Sequence, residues 1–480
     1  MTDILIRNAT IVTVDPDRRV IENGALAITK DRITEIGSNT DLAPLAQTAK
    51  QVIDAHGMAV IPGLIDSHSH AGHGLIRSLG AGDGDAWFAA CETIYARHSD
   101  LSFWQAEARL AQLERLMSGV TTCLTLLGGG ADIYRTDDPA FGDAHCDVTR
   151  ESGLRTVLAV GPGRPPFPRT YRGLDGTDKQ VHFDRQMEVS EDLIARRNDV
   201  LGARTGLCVI MPVYGRNDRE TVPEPEIRRM SEAVGDLCTR RGVLFTQDGH
   251  RDGTIAFTEQ FGVLGPHALL SHSVDLTQED IDAVKRSGAS IVHNPSAIMS
   301  ILGRCPVPEL IGEGVTVALG SDAAAPDRGY DMFRHMAQCM HYHRRHFADP
   351  SWMPPGKVLE MATIDAARAL GLADEIGSLE IGKKADVVLV DLRKPHLYPP
   401  NMPLHKLTHF ATAADVDSVI VDGQFVLRGR ISQTLDTETV LDDAASTAAR
   451  AIKDAGLSHL LSEPETLWQN NRSQNWMNPQ

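Results

Sequence analysis

The sequence predicts an α/β fold, in which a TIM-type (β/α)8 barrel carries a small composite β-sandwich built from the N- and C-terminal segments. Two observations support this prediction. Short apolar runs alternate with helical stretches through the middle of the chain, and strand-like segments without helical periodicity lie at both ends. The 480 residues are also enough for a large barrel with one smaller appended domain.

The two ends of the chain consist of short strand-like segments separated by turn-forming residues. They are ILIRNATIVTVD, GALAITKDRITEIG and KQVIDAHGMAVI at the start, and GKKADVVLVDL, VDSVIVDG and QFVLRGR near the end. Each block is too short to bury a sheet alone, so we expect residues 1–60 and 375–435 to form the sandwich together. Residues 436–480 are expected to form a C-terminal helix followed by a polar, loosely held tail.

The middle of the chain, residues 61–374, contains eight apolar runs that are typical of buried parallel strands. They are MAVIPGLIDSHSH, GVTTCLTL, RTVLAV, CVIMPVY, VLFTQD, ALLSHS, SIVHNP and VTVALGSD. In a closed barrel of eight such strands, the active site lies at their C-terminal ends. Polar residues close five of the runs: His68, His70, Gln247, Asp248, His272, His293 and Asp322.

Composition and charge exclude several classes of protein. The net charge of −17 disfavours binding to nucleic acid or to an anionic membrane surface, and no apolar stretch approaches the roughly 20 residues that span a bilayer. The seven cysteines are scattered, odd in number and without a CxxC pair, so neither a disulfide framework nor a cysteine zinc site is indicated. We therefore expect a cytoplasmic protein whose partner is a small molecule.

The segment PGLIDSHSH holds the strongest local signal for chemistry. Residues two apart on a strand face the same side, so His68 and His70 can both direct imidazoles at one metal ion. Asp66 is placed to orient one of these histidines from behind. The alternative is a pair of surface histidines after a strand, because HxH also recurs by chance.

Five motifs together resemble the amidohydrolase superfamily: PGLIDSHSH, LLSHS, VHNPSA, PVPELIGEGVTVALGSDAAAPDRGYDMF and GSLEIGKKADVVLVDL. The similarity runs from about residue 3 to about residue 430. It is strongest to the branch of triazine hydrolases and of guanine, cytosine and adenosylhomocysteine deaminases. The resemblance implies His68, His70 and Asp322 as ligands of one divalent ion, with zinc first and iron, cobalt or manganese as alternatives. It also implies that His272 polarises the reacting centre and that His293 faces the substrate.

Strand 5 departs from the pattern of that family. The family motif is HxxE, in which the His binds metal and the Glu moves protons. Here Gln247 and His250 stand at those positions. Either Gln247 is a weak neutral ligand and His250 the acid–base group, or His250 itself completes the metal site. His73, three residues past His70, is a third candidate for the missing ligand, or else a substrate contact.

These features predict a metal-dependent hydrolase that acts, through an activated water, on a non-peptide C–N bond of a small, largely neutral molecule, such as an N-heterocycle. Asp322 would bind the metal and move the proton, and Trp87 would line an apolar pocket together with the histidine anchors. Hydrolysis of an amide, carbamate, urea or C–Cl bond is the alternative, and a metal-free binding barrel is another. A homodimer or higher homo-oligomer is expected.

Overall fold

The computed structural model describes residues 2–80, 83–130, 132–325 and 328–463. Its strands, numbered in chain order, are β1 (Ile4–Val12), β2 (Val20–Thr29), β3 (Arg32–Ser38), β4 (Gln51–Asp54), β5 (Met58–Pro62), β6 (Leu64–His70), β7 (Val120–Leu126), β8 (Gly128–Gly129), β9 (Ile133–Tyr134), β10 (Arg155–Val160), β11 (Arg169–Arg172), β12 (Asp178–Val181), β13 (Thr205–Ile210), β14 (Phe245–Gln247), β15 (Ala268–Ser271), β16 (Ser290–His293), β17 (Val317–Leu319), β18 (Val387–Asp391), β19 (Val416–Val421), β20 (Gln424–Arg428) and β21 (Ile431–Ser432).

The α-helices fill the connections between barrel strands and follow the last strand. They are α1 (Gly84–Thr93), α2 (Leu101–Met117), α3 (Pro139–Ser152), α4 (Phe183–Arg197), α5 (Glu224–Arg241), α6 (Thr254–Glu259), α7 (Gln278–Ser287), α8 (Ile298–Leu302), α9 (Val307–Gly312), α10 (Met332–Phe347), α11 (Pro355–Met361), α12 (Ile364–Ala369), α13 (Pro403–His409) and α14 (Thr437–Asp454).

Eight parallel strands, one from each predicted apolar run, form the barrel. Along the sheet their order is β6, β7, β10, β13, β14, β15, β16 and β17, so each strand pairs with the next in sequence. The ring closes where Ser69 pairs with Asp322, whose N–H donates to the carbonyl of His68 at 2.9 Å. The predicted (β/α)8 barrel is therefore confirmed, and its closure places the ends of the first and last strands side by side.

A second, mixed sheet of nine strands joins the two ends of the chain. Strand β1 pairs antiparallel with β2 and parallel with β4 and β5, and β5 pairs antiparallel with β18. The C-terminal strands continue the sheet in the order β18, β19, β20 and β21. The predicted composite of N- and C-terminal segments is thus present. The exact domain boundaries stay a prediction, and residues 464–480 of the expected tail lie outside the described residues.

The terminal sheet is attached to the barrel by a buried charge cluster. Arg155, at the start of β10, donates to Asp386 and, at 2.6 Å, to Asp422, both of which belong to the C-terminal segment. Arg155 is fully buried, so this contact is desolvated. Among the described residues, no helix has both the length and the apolar character needed to cross a membrane.

Helix α10 carries the histidine-rich segment FRHMAQCMHYHRRH, which the sequence places on a helix after the last barrel strand. Asp331 caps its N-terminus, since the carboxylate accepts hydrogen bonds from the N–H groups of Phe333 and Arg334. The buried face of the helix includes Cys339 and His343. These two residues are four apart and therefore share one side of the helix.

Candidate active site

Five side chains from four strand ends converge at the C-terminal rim of the barrel: His68, His70, Asp248, His272 and Asp322. Oδ1 of Asp248 lies 3.2 Å from Nε2 of His68 and 3.0 Å from Nε2 of His272, and its Oδ2 lies 3.3 Å from Nε2 of His70. Oδ1 of Asp322 lies 3.2 Å from Nε2 of His70 and 3.8 Å from Nε2 of each of the other two. Three imidazoles and two carboxylates thus face one point.

The donor set fits a divalent transition metal. Imidazole nitrogens and carboxylate oxygens bind such ions at about 2.0–2.2 Å, so ligands of one ion lie roughly 3–4 Å apart, as these do. Both ring nitrogens of His68 and Nδ1 of His272 are buried without a hydrogen-bond partner among the described residues. Orphaned buried nitrogens are costly, and a bound cation would satisfy those that face the cluster.

Charge–charge interactions hold the cluster together. Burial disfavours charge on His70, but hydrogen bonds to Asp248 and Asp322 outweigh it and raise its pKa to about 10. Burial likewise opposes ionisation of Asp322, yet His272 and His70 hold its pKa well below the ordinary value. Both carboxylates therefore carry negative charge, which favours a cation between them and the histidines.

Strained backbone at two strand ends aims the side chains. His272 and Asp322 both adopt left-handed conformations, with φ of 65° and 63°, which cost non-glycine residues on the order of 1–3 kcal/mol each. Surrounding hydrogen bonds hold them there: the N–H of His272 donates to Val292 O at 3.0 Å, and that of Asp322 to His68 O. Such strain persists where it serves to direct a functional group.

A glycine turn after β7 orients His70. Its Nδ1–H donates to the carbonyl of Gly128 at 2.9 Å, so Nε2 is the ring nitrogen that points at the cluster. The sequence position of Asp66 suggested that it orients a histidine, but in the structure its carboxylate contacts other groups. It accepts from the N–H of Ser321 at 2.8 Å, and it pairs with Arg115. Asp66 therefore positions the backbone next to Asp322.

Strand 5 contributes Asp248 to the cluster, where the sequence led us to expect Gln247. The amide of Gln247 is engaged elsewhere: Nε2 donates to Pro212 O at 3.0 Å, and Oε1 accepts from Nε2 of His250 at 3.2 Å. Neighbouring residues on a strand point to opposite sides, so only one of the pair can face the site. Ligand chemistry could have identified Asp248 from the sequence, because an anionic carboxylate is a far better metal ligand than a neutral amide.

His250 lies behind the site and not in it. Its Nε2–H donates to Gln247, so in the neutral ring Nδ1 accepts from the Thr254 hydroxyl at 3.0 Å. Burial lowers its pKa to about 3. Because both nitrogens are occupied and the ring does not line the cavity, the structure does not place His250 where the sequence suggested, either as proton shuttle or as ligand.

A cavity of about 350 Å³ opens onto the cluster. One wall contains His73 and Trp87, whose rings lie 5.0 Å apart, with the ring of His73 also stacked on His70 at 4.8 Å. The hydroxyl of Tyr95 lies 2.6 Å from Nδ1 of His73. The two expected pocket residues, His73 and Trp87, therefore lie beside the cluster, and His73 is not one of its five members.

The cavity lining also includes charged side chains that pair with one another. Arg164 donates to Asp132 at 2.7 Å and to Asp218 at 3.3 Å, so its guanidinium is held by two carboxylates. Arg251 and Arg328 also line the cavity, and Arg328 donates to Asp322 at 3.2 Å, whereas Arg77 and Arg304 pair with glutamates outside it. Because four aspartates face three arginines in this lining, it suits a neutral molecule with hydroxyl groups better than a phosphate.

His293 is not in the cavity, although its position in the sequence suggested a substrate contact. It is fully buried at the end of β16, where its ring lies 5.4 Å from that of His343 on α10. The sequence indicated a rim position, but the barrel turns this side chain outward against the helix layer.

Comparisons with known proteins agree with this geometry. Residues 243–426 match the model of the amidohydrolase family. The chain is 32% identical over 462 residues to the 5-methylthioadenosine/S-adenosylhomocysteine deaminase of Syntrophobacter fumaroxidans, with 94% of this chain and 98% of that protein covered. It is 29% identical over 463 residues to the 5'-deoxyadenosine deaminase of Methanosarcina mazei, with 94% and 99% covered.

Two solved structures share the fold over nearly the whole chain. One is a zinc-bound adenosine deaminase from Xanthomonas campestris, with a TM-score of 0.80, 22% identity and coverage of 94% of this chain and 99% of that one. The other is a zinc complex of atrazine chlorohydrolase from Arthrobacter aurescens, with a TM-score of 0.77, 21% identity and coverage of 93% and 100%. Sequence relatives, family motifs and barrel agree, and the chain belongs to the amidohydrolase family.

Proposed function

We propose that this enzyme hydrolyses the exocyclic C–N bond of an amino-substituted N-heterocycle carried by a neutral nucleoside, releasing ammonia. The observation that carries the proposal is the imidazole–carboxylate cluster, which opens into a cavity lined by aromatic side chains and carboxylates. Full-length relatives that deaminate adenosine derivatives support this substrate class.

We propose that His68, His70, Asp248 and Asp322 hold one divalent ion, with zinc as the first candidate, and that His272 lies beside it. When bound, such an ion supplies Lewis acidity and lowers the pKa of a water molecule towards ~7. Asp248 takes the place of the strand-5 ligand, because both of its oxygens lie within 3.3 Å of ligand histidines. Gln247 and His250 have no part in this set.

Asp322 is the proposed proton carrier. Its Oδ1 faces the three imidazoles and would hold the ion, while its Oδ2, which accepts a hydrogen bond from Arg328 at 3.2 Å, is the oxygen that would take a proton and pass it to the leaving nitrogen. Nε2 of His272 is proposed to stabilise the negative charge that develops, during hydrolysis, on the atom bonded to the attacked carbon.

His73 is the proposed hydrogen-bond donor to the substrate ring. If the Tyr95 hydroxyl donates to Nδ1, the neutral imidazole carries its proton on Nε2. Burial and the neighbouring His70 hold its pKa well below the ordinary value, which keeps the ring neutral. Trp87 would pack on the heterocycle, while Asp132 and Asp218 would accept hydrogen bonds from sugar hydroxyls.

The second candidate is hydrolysis of an amide, carbamate, urea or C–Cl bond. One observation favours it: none of the described residues that line the cavity is a glutamate, the group that this family uses to protonate a ring nitrogen. A substrate that needs no ring protonation would avoid this requirement.

A substrate screen separates the two candidates. The purified enzyme would be offered 5'-deoxyadenosine, 5-methylthioadenosine, S-adenosylhomocysteine and adenosine, alongside chlorotriazines, ureas and carbamates, with ammonia and chloride release measured separately. Ammonia from the nucleosides is expected. Chloride release from triazines without nucleoside turnover would favour the second candidate and overturn the first.

The metal requirement has its own control. The double variant His68→Ala/His70→Ala should lose both the ion and turnover, whereas Arg77→Lys, outside the cavity, should keep both. A cytoplasmic location and a homo-oligomeric state are further proposals that this screen leaves open.

A further inference from the structure

A second group of metal-ligating side chains lies apart from the catalytic cluster. His293 ends β16, and Cys339 and His343 face it from α10. One donor atom from each of the three lies within 4.8 Å of the others. None of these residues belongs to the five side chains of the catalytic cluster, and none of them lines its cavity.

The polar atoms of this group are buried and unpaired. All three side chains are fully buried. Both ring nitrogens of His293 and both of His343 lack a hydrogen-bond partner among the described residues. An unsatisfied buried polar group costs about 1–3 kcal/mol. Four unpaired imidazole nitrogens in one place therefore favour binding of a ligand that can accept their lone pairs or protons.

We propose that His293, Cys339 and His343 form a second, structural metal site for zinc or a similar thiophilic divalent ion. Two imidazoles and one thiolate are a common set for zinc, which binds nitrogen at about 2.0–2.1 Å and sulfur at about 2.3 Å. Binding requires the Cys339 S–H bond to break, with its proton released to solvent while the sulfur pair forms the bond to the ion. The fourth position is filled by water.

The charges around the site tolerate a cation. The nearest permanent charges are Arg304 and Glu309, which form an ion pair with each other and so largely cancel. Because both ring nitrogens of each histidine lack a hydrogen-bond partner among the described residues, a nitrogen of each is available to bind the ion.

The consequence of such a site would be mechanical. An ion held by β16 on one side and α10 on the other cross-links a barrel strand to the helix outside it. His293 lies one strand from His272, so the cross-link would stiffen the barrel next to the catalytic cluster without touching substrate. We expect removal of this ion to lower stability more than turnover.

Cobalt substitution tests the proposal on the full-length protein. The catalytic cluster contains no sulfur, so a near-ultraviolet thiolate-to-cobalt charge-transfer band can arise only from a cysteine site. We expect two metal ions per chain and this band in the wild type. Cys339→Ser and His343→Leu should each leave one ion and no band. Cys146→Ser, which removes a buried thiol on α3, should keep two ions per chain and the charge-transfer band.

The variant His68→Ala/His70→Ala separates this proposal from the proposed function. It should lose activity and one ion yet keep the charge-transfer band. A wild-type protein that binds cobalt without the band, or a Cys339→Ser variant that keeps the band, would overturn the second site. Because the wild-type spectrum is itself decisive, the test does not depend on whether a variant folds.

Discussion

At the scale of single residues, the chemistry depends on which strand-5 side chain faces the barrel axis. Asp248 is the most exposed member of the cluster, with 22% of its side chain accessible, and it is the only cluster residue contributed by strand 5. Gly249, with φ of 97°, turns the chain immediately after it. A carboxylate at this point adds a negative charge that a histidine ligand would not.

Replacing this carboxylate tests its role as ligand. We expect Asp248→Asn to lower metal affinity and turnover by on the order of a hundredfold, because the isosteric amide keeps the shape but loses the charge. Metal content would be measured after dialysis against a weak chelator. Gln247→Met removes the neighbouring amide at similar size and should hold its metal. Loss of metal in the Gln247 variant alone would show that the amide is the ligand.

His250 acts, in this structure, as a positioning residue for the loop after β14. His250→Ala would leave Oε1 of Gln247 without a partner and the Thr254 O–H without its acceptor, at a cost of about 1–3 kcal/mol in the free energy of unfolding. We expect the pH profile of turnover to keep its shape, and the metal content to stay at the wild-type level.

His250→Gln serves as the matched variant, since an amide can restore one of the two hydrogen bonds. A variant that folds and keeps its metal, yet loses one limb of the pH profile, would restore His250 as the proton shuttle.

At the scale of elements, the two-residue strand β8 fixes the orientation of the His70 ring. The carbonyl of Gly128 fixes the histidine tautomer, and a Cβ added at Gly129 would stand 2.1 Å from Nδ1 of His70. The hairpin of β8 and β9 therefore needs glycine both for its backbone conformation, with φ of 130° at Gly129, and for this close approach.

We expect Gly129→Ala to displace the His70 ring and to reduce bound metal and turnover at least tenfold. Gly176→Ala is the matched control, because that residue also has a positive φ of 73° but no atom within 4 Å of an added Cβ. Both variants bear the backbone cost, and only the first meets the imidazole. Equal metal content in the two would contradict this account.

At the scale of the whole molecule, the terminal sheet and the barrel depend on each other through buried charge. Arg155 of the barrel is surrounded by Asp386, Asp422 and the hydroxyl of Thr122. Charges taken out of water are tolerated only when they are paired. Removing Arg155 would leave Asp386 without its ion-pair partner, whereas Asp422 would keep its pair with Arg204 at 3.0 Å.

Arg155→Met should therefore lower the free energy of unfolding by about 3–5 kcal/mol. Denaturant unfolding followed by far-ultraviolet dichroism and by tryptophan fluorescence would measure it. Arg196→Met, which breaks exposed pairs with Asp143 and Asp192, should cost at most ~1 kcal/mol. Similar losses in the two variants would show that burial of the Arg155 cluster adds nothing.

The sequence by itself determined the barrel, the joint sheet from both chain ends and four of the five cluster residues. The barrel and the joint sheet follow from local patterns, namely apolar runs of strand length with turn residues between them. Polar residues at the strand ends gave seven candidates, and the resemblance to the amidohydrolase superfamily selected His68, His70, His272 and Asp322 from among them. His68, His70, His272 and Asp322 come together because closure of a parallel barrel brings those ends to one rim.

Only the tertiary structure decided which side chains turn towards the axis. Adjacent residues on a strand point in opposite directions, so a shift of one position exchanges Gln247 for Asp248 in the site. For the same reason, the sequence did not show which way His293 points. In the structure it faces α10 and lies beside Cys339 and His343. A contact between a strand end and a helix far away in the sequence produces no periodic pattern of residues. The sequence therefore predicts where a strand ends, but only the packing of the folded chain shows which helix its last side chain contacts.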